Sequence, residues 1–206
     1  MPPNAEAEVR TSGPSASLQF GPSTSFSESG RQVAELLTLN RRQSIALWLL
    51  CRHLDRVHRG ERGTPQLCQF VGGEGGTGKS RVIEALVELF ASKGMRHRLL
   101  VTATSGAAAA RIYGITIHAA CNVSVDSSRT ASNSGSAQTR VPPSTGLRVD
   151  GQSRMNWQEK DVLVIDEISM LGARTLHAVN EQLCIFRGCT QDFGGIPIVL
   201  FIGDFK

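Results

Sequence analysis

The 206-residue sequence predicts an α/β fold, a parallel sheet covered by helices on both faces. Three observations carry this. Continuous apolar runs of strand length alternate with segments of helical period, a glycine-rich stretch joins one such run to one such segment, and an acid pair directly follows another run.

The elements follow in order. Residues 1–33 are rich in Ser, Pro and Gly, with only Leu18, Phe20 and Phe26 as large apolar residues, so they read as a disordered arm preceding a domain that spans 34–206. Asn40 caps a helix from Arg41 towards His58, with Ile45, Trp48, Leu49 and Leu54 near one face. Gln66 to Val71 suits a buried strand. Lys79 to Lys93 has helical period in Val82, Ile83, Leu86, Val87, Leu89 and Phe90, and Gly94 stands where a C-terminal cap is expected. Arg98 to Ala103 is a strand and Gly106 to Tyr113 a short Ala-rich helix. Val123 to Met155 reads as a long polar loop inserted in the domain, its Arg129, Arg140, Arg148 and Arg154 solvated. Val162 to Ile165 is a buried strand, Arg174 to Phe186 a helix with Leu176, Val179, Leu183 and Phe186 inward, and Ile196 to Ile202 a further buried run.

Composition excludes more than it assigns. A chain of this length holds one ordinary domain, and 22 basic against 18 acidic residues is too small an excess to establish a polyanionic partner. Cys51, Cys68, Cys121, Cys184 and Cys189 are odd in number, and the closest pair has no second pair spaced to complete a zinc site, so they read as reduced thiols. No apolar run approaches the roughly 18 residues that span a bilayer. The segment MPPNAEAEVR lacks the apolar core of a signal peptide and carries Glu6 and Glu8, so the expected location is intracellular, its organelle open.

The stretch GGEGGTGKS contains Gly73-x-x-x-x-Gly78-Lys79-Ser80 between a predicted strand and a predicted helix, the context this phosphate-binding pattern requires. Gly73, Gly75, Gly76, Thr77 and Gly78 let successive backbone N–H groups approach phosphate, and the helix N-terminus adds its positive end. Lys79 reaches the β and γ phosphates, and the Ser80 hydroxyl ligates magnesium. DVLVIDEISM places Asp166 and Glu167 just past a strand, at the carboxyl end where open α/β sheets bind ligands. Asp166 would complete the magnesium shell, and Glu167 would orient or deprotonate the attacking water. Together these features describe a P-loop ATPase using ATP and Mg²⁺.

Three further stretches narrow the reading: LNRRQ, ending in Gln43; TATSGAAAARIYGITIHAA; and FGGIPIVLFIGDF near the end of the sequence. With the phosphate loop and VIDEISML they resemble, in order, the first RecA-like motor domain of the petite-integration-frequency (Pif-type) DNA helicases, relatives of the RecD-like helicases and of Helitron transposon helicases. The resemblance covers about Leu37 to Phe205. It implies a 5′-to-3′ ATP-dependent DNA helicase acting in DNA repair, recombination and telomere maintenance. It implies that Gln43 reads adenine, although Asn40-x-x-Gln43 also fits a capped helix start and the two roles can coexist. Thr104, Ser105, Gly106, Thr116 and His118 would contact single-stranded DNA, and Asp204 would lie near the γ phosphate.

Two departures accompany the resemblance. The glutamine that the family places after Gly203-Asp204-Phe205 is not in the sequence, nor is a second RecA-like domain, which in the family supplies an arginine finger and would have to act in cis or in trans. The family's aromatic residues after Thr-Ile-His are replaced by AACNVSV. The alternatives to a helicase motor are a nucleotide-binding remnant and an ATPase of another kind, such as a loader.

Overall fold

A computed structural model describes residues 18–21, 24–123 and 156–205. Most of the polar stretch 123–155, with its four arginines, and residues 1–17 of the expected arm lie outside the described residues.

Five strands build one sheet: β1 (Leu67–Gly72), β2 (Leu99–Ala103), β3 (Ile115–Thr116), β4 (Val162–Asp166) and β5 (Ile198–Gly203). Their order is β1-β5-β4-β2-β3, and every neighbouring pair is parallel. Parallel neighbours need crossovers, and the helices α1 (Phe26–Leu36), α2 (Arg41–His58), α3 (Lys79–Ser92), α4 (Gly106–Arg111), α5 (Ile117–Cys121) and α6 (Ala173–Arg187) cover the two faces. Strand alternation divides the core. Leu99, Val101, Val162, Val164, Ile198 and Leu200 pack under α1 to α4, while Leu100, Leu163, Ile165 and Val199 pack under α5 and α6 with Trp157. The predicted α/β architecture is therefore the observed one.

Register places the strand ends at one level. Gly72 lies beside Gly203, and Ala103 lies beside both Asp166 and Thr116. Every loop that carries a candidate functional residue after a strand thus emerges from the same edge of the sheet.

Three expectations are corrected. The expected arm ends too late, because Phe26 to Leu36 form a helix and Leu18 and Phe20 pack against the core. This helix is made by distant contacts rather than by its own apolar content. The Asp55 carboxylate on α2 accepts the backbone N–H groups of Phe26 (2.6 Å) and Ser27 (3.0 Å) and the Ser27 hydroxyl (2.5 Å). Phe26 packs on Phe90 and His58 beneath the Lys93 ammonium, and Gly30 lets the helices approach so closely that a Cβ there would stand 2.4 Å from Cys51 Sγ. Asp55→Ala is expected to cost about 2 to 3 kcal/mol, combining a lost cap with lost charge-assisted hydrogen bonds. Urea unfolding would measure the loss, and limited proteolysis would locate it in a released α1.

Second, α2 turns a different face inward. Leu47, Leu50, Cys51 and Leu54 are buried, whereas Ile45, Trp48 and Leu49 are 41% to 50% exposed. Two overlapping stripes of helical spacing exist in this helix, and contact with α1 and α3 selects the one containing Leu54. Third, β1 is half-exposed rather than buried, because it forms an edge of the sheet among the described residues and Phe70 is 50% exposed.

Candidate nucleotide site

The phosphate loop joins β1 to α3. Gly78 caps α3 in the left-handed conformation with φ 82°, which favours glycine, and a Cβ there would stand 2.4 Å from Gln43 Nε2 and displace that amide. Gly76 is also left-handed, at φ 79°. Thr77 Oγ1 donates to the Glu74 carbonyl at 2.8 Å and closes the loop. The Lys79 ammonium donates to the carbonyls of Gly73 (2.5 Å) and Glu74 (2.9 Å), which holds it across the loop it is expected to share with phosphate.

Gln43 takes the capping role read from the sequence. Its side-chain oxygen accepts from Asn40 N–H at 2.9 Å while Asn40 Oδ1 accepts from Gln43 N–H at 3.0 Å, a reciprocal cap. Its amide nitrogen meanwhile donates to the Gly78 carbonyl at 2.9 Å, which brings the start of α2 onto the phosphate loop.

Asp166 is the last residue of β4 and is only 6% exposed. Burial pushes its carboxyl above the usual range and the Glu167 charge adds to this, against the Glu167 N–H at 2.9 Å and the charges of Arg111 and Lys79. Glu167 has φ 56°, a conformation rare outside glycine, which turns the chain sharply at the end of the strand. Its carboxylate lies 3.5 Å from Arg111 Nη2.

Lys79, Ser80, Asp166 and Glu167 line one cavity of about 270 Å³ together with Gly75, Gly76, Gly78, Arg111 and Ile112. Gly73, Thr77, Gln43 and Asp204 are not in its lining; the first two shape the loop beneath it, and Asp204 follows β5, the strand between β1 and β4. Clefts of about 470 and 670 Å³ elsewhere, between α1 and α2 and along β1, contain neither the loop nor the acids, so chemistry and not volume locates the site. The oxygen donors Ser80 and Asp166 share the cavity, the donor type magnesium prefers.

The residues expected to touch a strand stand at the ends of β2 and β3. Thr104 is hydrogen-bonded to the acid turn twice, its N–H to the Asp166 carbonyl and its hydroxyl to the Glu167 carbonyl, both at 3.2 Å. Ser105 Oγ caps α4 by accepting from Ala108 N–H, and Thr116 Oγ1 caps α5 by accepting from Ala119 N–H, each at 3.2 Å. A hydroxyl that caps through a lone pair keeps its proton to donate elsewhere. Gly106 opens α4, and His118 lies partly exposed on α5.

Residues 54–206 match the model of the PIF1-like helicase family. The chain belongs to that family. Among similar proteins, the ATP-dependent DNA helicase PIF7 of Trypanosoma brucei brucei is 33% identical over 136 residues, 66% of this chain and 12% of that protein. The ATP-dependent DNA helicase PIF1 of Saccharomyces cerevisiae is 32% identical over the same share of this chain and 15% of its own length. The crystal structure of the Pif1 helicase from Candida albicans superposes with a TM-score of 0.54 at 26% identity, covering 81% of this chain and 33% of that one. The chain therefore spans a small part of the PIF1-like helicases it matches.

Sequence reasoning missed Arg111. It closes the run of alanines, and nothing in its neighbours signals that α4 directs its last residue towards Glu167. No helix of the described residues is long and apolar enough to cross a membrane. The Cys51 and Cys121 thiols are buried and pushed up to about 12, chiefly by burial, which suits unreactive core residues.

Proposed function

We propose that the chain is the first RecA-like motor lobe of an ATP-dependent DNA helicase that moves 5′ to 3′ on single-stranded DNA. The observation that carries this reading is the pair of hydrogen bonds from Thr104 to the carbonyls of Asp166 and Glu167. They tie a candidate strand contact directly to the candidate catalytic acids. A change at the phosphates then has a short path to the strand, which a translocating motor needs and a static nucleotide binder does not.

In this reading the loop residues Gly73 to Gly78 wrap the phosphates, Lys79 leaves its carbonyl partners for the β and γ phosphates, and Gln43 holds adenine beside Gly78. Ser80 and Asp166 would hold Mg²⁺, which would offset the negative charge of the phosphates when bound. Glu167 aligns the attacking water, and Asp204 lies towards the γ phosphate. Thr104, Ser105, Gly106, Thr116 and His118 bind the sugar-phosphate backbone, so the binding is expected to be insensitive to sequence. A second RecA-like domain, in cis or in trans, would close the site and supply an arginine. Work on DNA repair, recombination and telomere ends, in the nucleus or the mitochondrion, accords with such an activity.

The test is steady-state ATP turnover by the chain with and without an oligothymidylate. Strand is expected to raise the rate by about fivefold or more, the scale of an ordinary coupling between two sites. Equal rates would turn the assignment to an ATPase of another kind, and absent turnover with intact nucleotide binding would turn it to a remnant.

A further inference from the structure

The cavity between the phosphate loop and the acid turn holds two carboxylates and two cations. Lys79 is one cation and is bonded to loop carbonyls; Arg111 is the other, and it enters from α4 on the opposite wall. Its guanidinium meets Glu167 through a single Nη2 to Oε1 approach of 3.5 Å, and the arginine side chain is 71% exposed. An exposed single contact of that length holds little, and salt screens it further. A triphosphate placed in the cavity offers the same guanidinium a larger charge and pairs of oxygens on one phosphorus, which its planar fork binds in bidentate fashion.

We propose that Arg111 exchanges partners on nucleotide binding, leaving Glu167 for the terminal phosphate of ATP. This rests on the nucleotide-site reading above and extends it. Two consequences follow from one movement. The arginine supplies positive charge to the terminal phosphate from within this lobe, and the Glu167 carboxylate, no longer paired, is free to accept a hydrogen bond from water. No bond to phosphorus is made or broken in the exchange, and no proton moves. The other end of α4 carries Ser105 and Gly106, so a strand seated there bears on the helix that aims Arg111.

The exchange predicts discrimination by the terminal phosphate. Affinity of the full chain for a non-hydrolysable ATP analogue and for ADP, both with Mg²⁺, would be measured by fluorescence titration for the unaltered chain and for Arg111→Ala, Arg111→Gln and Arg111→Lys. Arg111→Ala is expected to weaken the ATP analogue by about tenfold or more, the loss of one charge-assisted phosphate contact, and ADP by less than about twofold. Arg111→Lys is expected to recover part of the difference. The exposed position of Arg111 makes unfolding an unexpected outcome, and Arg111→Gln repeats the comparison with a side chain that is polar but uncharged. Equal losses for both nucleotides, or none, would overturn the exchange while leaving the nucleotide site standing. Failure of the unaltered chain to bind either nucleotide would overturn both.

Discussion

Lys79→Ala is expected to lower ATP turnover at least about 100-fold, the scale on which removing one preorganised donor to a developing charge is felt. The ammonium sits on the Gly73 and Glu74 carbonyls at 2.5 and 2.9 Å, so it is already held at the mouth of the loop and needs only to trade carbonyl partners for phosphate oxygens. Alanine removes the donor and leaves Gly76 and Gly78 to hold the loop shape through their own left-handed conformations. Stability is therefore expected to change little while nucleotide affinity falls by about tenfold, the loss of one hydrogen bond to a charged group. Lys79→Arg is expected to fail as well, because the planar guanidinium does not fit where a compact ammonium bonds two carbonyls at once. Turnover and equilibrium nucleotide binding, measured on the same preparations, check this. A Lys79→Ala chain that hydrolyses ATP within a few-fold of the unaltered rate would remove the phosphate loop from the chemistry.

Asp161→Ala is expected to destabilise the fold by about 3 to 5 kcal/mol, the cost of stripping one partner from a buried ion pair. Asp161 lies before β4 at the end of the sheet away from the nucleotide site, and its side chain is 5% exposed. It receives Arg98 in two-pronged fashion, Nε at 2.6 Å and Nη2 at 3.0 Å, and His58 Nε2 lies 2.8 Å from it. Its backbone accepts from Ile198 N–H and donates to the Arg98 carbonyl, so one residue joins α2, β2, β4 and β5. Burial alone would push this carboxyl up, but the hydrogen bonds and charges of His58 and Arg98 outweigh it and hold it below the usual range. A carboxyl lower in the folded than in the unfolded chain stabilises the fold above the unfolded value, near 3.9. That contribution is lost as pH falls through the folded value. Urea midpoints from pH 7 down to 3 should therefore fall at the acid end for the unaltered chain, and this part of the slope should be missing in Asp161→Ala. Because the network is remote from the cavity, nucleotide affinity at low temperature should be unchanged.

The two sites illustrate opposite uses of a buried carboxylate. Asp161 is saturated with partners and stabilises the fold, whereas burial leaves Asp166 raised and short of positive charge. In the proposed reading, a divalent cation would supply the positive charge that Asp166 lacks. The two aspartates flank the same apolar run, Asp166 at its carboxyl end, where parallel sheets bind ligands, and Asp161 at the other.

Much of the candidate site is nonetheless legible in the sequence. The phosphate loop is a run of adjacent residues whose backbone conformations are set by glycines at fixed spacing, so Gly73 to Ser80 specify their own geometry. Asp166 and Glu167 were readable because an apolar run ends abruptly in acids, and in a parallel sheet all such ends reach one edge. Strands β1, β2, β4 and β5 are readable as apolar runs and helices α2, α3, α4 and α6 from helical period or alanine content, whereas α1, β3 and α5 are not among the elements read from the sequence. What tertiary structure alone decided is everything that joins residues far apart. Helix α1 has a local start in the Ser25 cap on Glu28 N–H, but its place is set by Asp55, Cys51 and Phe90 on other elements. The inward face of α2, the exposed edge of β1, the contact of Gln43 with Gly78, and Arg111 opposite Glu167 depend on where each segment lands in the order β1-β5-β4-β2-β3. The reason is physical: backbone torsions and side-chain period are set by neighbours in the chain, whereas a contact energy is defined only once two distant segments have been brought within a few ångströms.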